Sequence, residues 1–93
     1  MSQGGYVPYM VLADETIVTH TCHENENEIK VYFEQPDDEF FFKYLEIKLL
    51  SLENLRSYGF EPYEVERLMC FTMKNREQII KYAKVGGIEI HKN

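Results

Sequence analysis

The sequence predicts an α+β domain: a four-stranded antiparallel β-meander followed by a helical C-terminal half, with a short helix and then a long, kinked one. Three observations lead there. Residues 6–50 are rich in β-branched and aromatic side chains that alternate with polar ones, the period of a half-buried strand. Short polar stretches interrupt this pattern at hairpin spacing. From residue 65 onward the apolar positions recur every three or four residues, the period of a helix.

The first expected strand is residues 6–12 (YVPYMVL). Pro8 lacks a backbone donor, so this strand belongs at an edge or begins late. Residues 13–16 (ADET) make a turn, and residues 16–22 (TIVTHTC) a second strand. Residues 24–28 (ENENE) hold no apolar side chain and read as an exposed turn. In the third strand Ile29, Val31 and Phe33 face one way and Lys30, Tyr32 and Glu34 the other. Residues 35–38 (QPDD) close the next turn, with Pro36 pre-setting its backbone. Residues 40–50 alternate without one consistently apolar face, which predicts a bulge or a switch of faces near Tyr44. Phe33, Phe42 and Phe71 are the aromatic residues expected in the core.

Ser51 is an expected N-cap for a short helix over residues 51–58, ended by Gly59 in the left-handed conformation. Pro62 suits the first turn of the next helix. Its stripe is Val65, Leu68, Met69, Thr72, Ile79, Ile80 and Ala83, interrupted at Lys74-Asn75-Arg76. Asn75 followed by Gln78 resembles a capping box, so the stripe reads as two helices with a kink. Gly86-Gly87 ends it, and residues 88–91 return as a last short strand.

The 93 residues make one domain, 1–93, with 44 % hydrophobic and 14 % aromatic side chains, enough to build a core. Apolar runs are too short to span a bilayer, and the N-terminus has no basic region leading into an apolar stretch. Two cysteines are too few for a disulfide scaffold and suit a reducing, cytoplasmic compartment. A net charge of −6 argues against direct nucleic-acid binding by bulk charge.

All of that charge lies in one segment. Residues 24–39 hold Glu24, Glu26, Glu28, Glu34, Asp37, Asp38 and Glu39 against the single base Lys30, and the rest of the chain is neutral. A field focused in this way attracts a basic partner, or else the segment is a pair of solubilising acidic turns. Seven tyrosines and six phenylalanines are more than one sheet face can bury, and tyrosine beside carboxylates is the composition of a protein-binding surface. Glu24, Glu26, Glu28, Asp37, Asp38, Glu39 and Tyr32 are therefore the expected partner-binding residues, unless the aromatic surplus is covered by the helices or by a second copy.

The run His20-Thr21-Cys22-His23 raises a second possibility. On a strand His20 and Cys22 project together, and with Cys70 and His91 they supply four donors of the kinds a structural zinc takes. Against this, only one close pair of donors is present where structural zinc sites have two. The alternative is an apolar Cys70 and surface histidines. A Cys–His nucleophile lacks any orienting group or oxyanion site by motif, and the turn carboxylates lack the burial that separates pKa values, so no catalytic signature is present.

Residues 8–16 (PYMVLADET), 31–36 (VYFEQP) and 81–88 (KYAKVGGI) resemble a group of short uncharacterised proteins from Gram-positive bacteria and their mobile elements. The matching stretches are turns, a strand and a helix end, so the resemblance implies fold and not chemistry. In size, acidity and lack of a catalytic motif the chain is also similar to anti-CRISPR proteins directed at the type II RNA-guided DNA endonuclease. That similarity implies a non-enzymatic inhibitor, monomer or homodimer, acting in the bacterial cytoplasm on a larger basic protein. The alternatives are an antitoxin-like or self-associating regulator and a thiol enzyme using Cys22 or Cys70.

Overall fold

Strand follows strand both along the chain and across the sheet: β1 (Tyr6–Val11), β2 (Ile17–Thr21), β3 (Lys30–Asp37), β4 (Phe41–Lys48) and β5 (Asn54–Tyr58) lie in the order 1-2-3-4-5, every neighbouring pair antiparallel. Two helices complete the C-terminal half, α1 (Pro62–Lys74) and α2 (Arg76–Val85). The computed structural model describes residues 5–39 and 41–86. The α+β class holds, with five strands in place of four.

The extra strand replaces the expected short helix. Ser51 does not cap a helix: its hydroxyl accepts from the Glu53 amide at 3.2 Å, and Leu52 takes a left-handed φ of 63° to turn the chain. All five residues of β5 are exposed, so its sequence carries no amphipathic period to separate strand from helix. Gly59 does adopt the left-handed φ, at 88°, but at the exit of a strand. A Cβ there would lie 2.6 Å from Lys43 Cγ, so glycine also lets these two segments approach.

The remaining differences are local. The third turn falls at Asp38 and Glu39, because β3 runs on through Pro36 to Asp37. Pairing with β2 ends at Glu34, so Pro36 sits where β3 is locally an edge and a missing N–H is tolerated. No bulge occurs at Tyr44, since β3 and β4 pair without a break. The irregularities lie instead at Tyr9 in β1 and opposite the Glu46/Ile47 step in β5. Phe42 is 38 % exposed and is not a core residue. The last strand expected over residues 88–91 lies outside the described residues.

The helices cover one face of the sheet. Val18, Val31, Phe33, Leu45 and Ile47 from the strands close against Leu68, Ile79 and Ala83, all buried. Ile29, Val31 and Phe33 are fully enclosed as their alternation predicts. Pro62 stands in the first turn of α1, and Glu61 and Glu64 form a reciprocal capping box there. The helix break falls at Asn75, yet its side chain does not cap α2. It accepts from the Tyr9 hydroxyl at 2.6 Å and donates to the Phe71 carbonyl at 2.9 Å. The bulge thus turns Tyr9 into the core and ties the edge strand to the interhelical junction. Tyr9→Phe removes that tie and is expected to cost about 1 kcal/mol in urea denaturation.

His20 is fully enclosed on the same face, its ring 6.2 Å from that of Tyr9. Nδ1 lies 2.9 Å from the Thr21 carbonyl, which can only accept, so Nδ1 carries the proton. Nε2 has no hydrogen-bond partner among the described residues. Burial holds the His20 pKa below the ordinary histidine value, partly offset by the Thr21 bond. Below about pH 6.5 the unfolded chain therefore binds a proton that the folded chain resists. Stability is expected to be full above that pH and to fall as the solution is acidified through the window beneath it. Urea midpoints measured between pH 7.5 and 5 check this, and His20→Phe is expected to flatten the slope.

Candidate functional site

The opposite face of the sheet is left bare by the helices, and its side chains follow from register. Pro8, Thr19, Tyr32, Glu46 and Arg56 stand in one row across the five strands, and Val11, Ile17, Glu34, Tyr44 and Tyr58 in the next. Rings from four strands therefore meet. Tyr6 lies 5.5 Å from Tyr32, Tyr32 stacks on Tyr44 at 6.2 Å and 21°, and Tyr44 stacks on Tyr58 at 5.8 Å and 22°. Phe42 joins at 5.9 Å from Tyr44. Such pairs contribute about 0.5–1.5 kcal/mol each beyond burial and hold the rings in fixed positions.

Arg56 locks the ladder from above. Its guanidinium lies 5.6 Å from the Tyr32 ring and 5.4 Å from the Tyr44 ring, and its Nε donates to Glu46 at 2.7 Å. The Glu46 hydrogen bond raises the Arg56 pKa, so the cation is permanent. Beside it a notch of about 240 Å³ is lined by Tyr6, Thr19, Tyr32, Glu34 and Arg56. Burial, with the neighbouring Glu34 charge, pushes the Tyr32 hydroxyl up, so it remains a neutral donor. The surface combines aromatic faces, a fixed cation and carboxylates, the set that recognises cationic and aromatic side chains of another protein.

The acidic segment does not form one patch. Glu24, Glu26 and Glu28 lie in and before a 3-10 turn (Glu26–Glu28) that precedes β3, whereas Asp37, Asp38 and Glu39 lie at its far end. Eight residues of strand separate them by roughly 25 Å. Glu26 is paired with Lys84 at 2.8 Å, and Asp37 accepts from the Glu39 amide at 3.0 Å. Tyr32, the seventh expected partner residue, stands near the middle of the ladder. Tyr44, Tyr58 and Arg56 were not among the expected partner-binding residues. The alternation of Arg56 and Tyr58 was the available signal, masked by the helix-forming character of residues 51–58.

Of the expected zinc donors, His20, Cys22 and Cys70 are among the described residues. β2 ends at Thr21, so His20 lies within the strand and Cys22 just beyond it. Cys22 borders a shallow groove with His23, Glu24 and Lys84, and Cys70 borders a different groove beside α1. His91 lies outside the described residues. Among the described residues no three His, Cys, Asp or Glu side chains converge to hold a metal. Burial pushes the Cys22 thiol up, the reverse of what a nucleophile needs. No helix among the described residues is long and apolar enough to cross a membrane.

The chain matches no protein-family model, no curated protein and no solved structure.

Proposed function

We propose that this protein is a non-catalytic binding module whose open sheet face captures a larger basic protein and inhibits it by occupying its surface. One observation carries the reading: the stacked ladder of Tyr6, Tyr32, Tyr44 and Tyr58 lies on the face that the helices leave uncovered. Tyrosine is over-represented among residues that dominate binding energy. Arg56 already displays how this face holds a guanidinium, between aromatic rings and a carboxylate. A partner's arginine entering the notch beside Tyr6, Tyr32 and Glu34 would repeat that arrangement. The carboxylates at the two ends of β3 add a negative field that steers a basic partner.

The similarity in size, acidity and lack of catalytic motif to anti-CRISPR proteins supplies the candidate partner, a type II RNA-guided endonuclease. Such enzymes hold nucleic acid in positively charged channels, and an acidic protein seated in one blocks loading. The test is an affinity capture with the tagged full chain from a bacterial lysate containing such an effector, read by mass spectrometry. A variant with Glu24, Glu26, Glu28, Asp37, Asp38 and Glu39 changed to lysine runs beside it. The native chain is expected to retain the nuclease in a salt-sensitive manner and the variant to lose it. Retention by both removes the carboxylates from the mechanism, and retention of nothing overturns the nuclease reading.

A second reading, an antitoxin-like or self-associating regulator, is favoured by the edge strand β5, exposed along its whole length. Light scattering separates the two, since self-association gives a dimer mass without any partner.

A further inference from the structure

Between the β1–β2 turn and α1 a groove of about 490 Å³ opens, within the ~300–1,000 Å³ span of small-molecule sites. None of the ladder residues lines it. Its floor is apolar, made by Leu12, Phe60, Leu68 and Phe71. Four charged side chains reach its wall: Asp14, Glu64, Arg67 and Lys74.

The two acids are already engaged. Asp14 Oδ1 accepts from the Thr16 amide at 3.0 Å. Glu64 accepts from the Glu61 amide at 2.8 Å and pairs with Lys43 at 3.3 Å. Among the described residues neither Arg67 nor Lys74 enters an ion pair, although the Arg67 charge helps the Thr16 hydrogen bond hold the Asp14 carboxyl below its ordinary pKa. The Arg67 guanidinium rests over the Tyr63 ring, 5.9 Å from its centre. Seven residues separate the two cations along α1, about two turns or ~10 Å, which brings them to one side of the helix. With Lys43 paired to Glu64 and Arg67 acting on Asp14, Lys74 leaves one positive charge in excess at this groove, in a chain of net charge −6.

We propose that the groove binds an amphipathic carboxylate. The apolar body lies on Leu12, Phe60, Leu68 and Phe71, and the carboxylate is received by Arg67, whose planar fork matches its two oxygens, with Lys74 adding a second charge. The site is independent of the tyrosine ladder, so failure of either proposal leaves the other standing.

Decanoate is the probe. Titrated into the ¹⁵N-labelled full chain, it is expected to produce saturable amide shifts in residues 12–16 and along α1, with the ladder strands unmoved. Decanol, which keeps the chain and lacks the charge, is expected to bind roughly tenfold more weakly or worse, and Arg67→Glu with Lys74→Glu to weaken decanoate by a similar factor. Cys70 borders the groove and is exposed, so bound decanoate is also expected to slow its alkylation by iodoacetamide in the unaltered protein. That measurement decides the matter if the double variant does not fold. Absence of saturable shifts at millimolar decanoate, equal binding of decanol, or unprotected Cys70 at saturating decanoate overturns the proposal.

Discussion

Alanine in place of Phe33 is expected to remove about 3–5 kcal/mol of stability, the cost of emptying a fully buried phenylalanine site. Phe33 is at 0 % exposure on the central strand, and its ring meets Phe71 of α1 edge to face at 6.1 Å. It therefore joins sheet to helix, and the hole its removal leaves cannot be closed from one side alone. A chain of this length has about 5–14 kcal/mol in total, so the variant would lose roughly a fifth of it or more. Thermal unfolding followed by circular dichroism should show a Tm lower by more than about 12 °C. A fall of less than about 1 kcal/mol would mean that the sheet and helices do not share this core.

Binding rather than folding should suffer when the ladder is cut. Tyr44→Ala with Tyr58→Ala is expected to weaken partner capture by about 2 kcal/mol or more per residue, the scale of an interface hot spot. The loss in stability should be smaller, since Tyr58 is exposed and Tyr44 only half-buried, and they lose mainly stacking energy of about 0.5–1.5 kcal/mol per pair. Phe41→Ala is the control. Phe41 is 89 % exposed but makes no part of the stack, so its removal should leave capture unchanged. If Phe41→Ala weakened binding as much as the double variant, general surface hydrophobicity and not the ladder would be responsible.

Much of the fold was legible because the side chains that specify it are buried on one face. The alternation of Ile29, Val31 and Phe33 marked the central strand, and the stripe through Leu68, Thr72, Ile79 and Ala83 marked both helices. Even the break at Asn75 showed in the interrupted stripe. β5 was not legible, because a strand exposed along its whole length has no apolar period, and its leucine, glutamate and arginine suit a helix equally well. The open face was foreseen only as a surplus of aromatic residues. Which of them point outward depends on the bulge at Tyr9 and on the placement of β5, both set by tertiary pairing. The acidic segment misled in another way: charges adjacent in sequence were carried to opposite ends of a strand.

The consecutive order of the five strands has a consequence for synthesis. Each strand needs only its immediate predecessor, so pairing can advance hairpin by hairpin as the chain leaves the ribosome, with short loops to close. The helices that shield Val31, Phe33, Leu45 and Ile47 come last. Until residue 85 has emerged, the nascent sheet has aromatic residues on one side and aliphatic ones on the other, with water against both. Truncations that stop short of α2 should accordingly be recovered as aggregates, and a chaperone that holds bare sheets would act on this chain only within that interval.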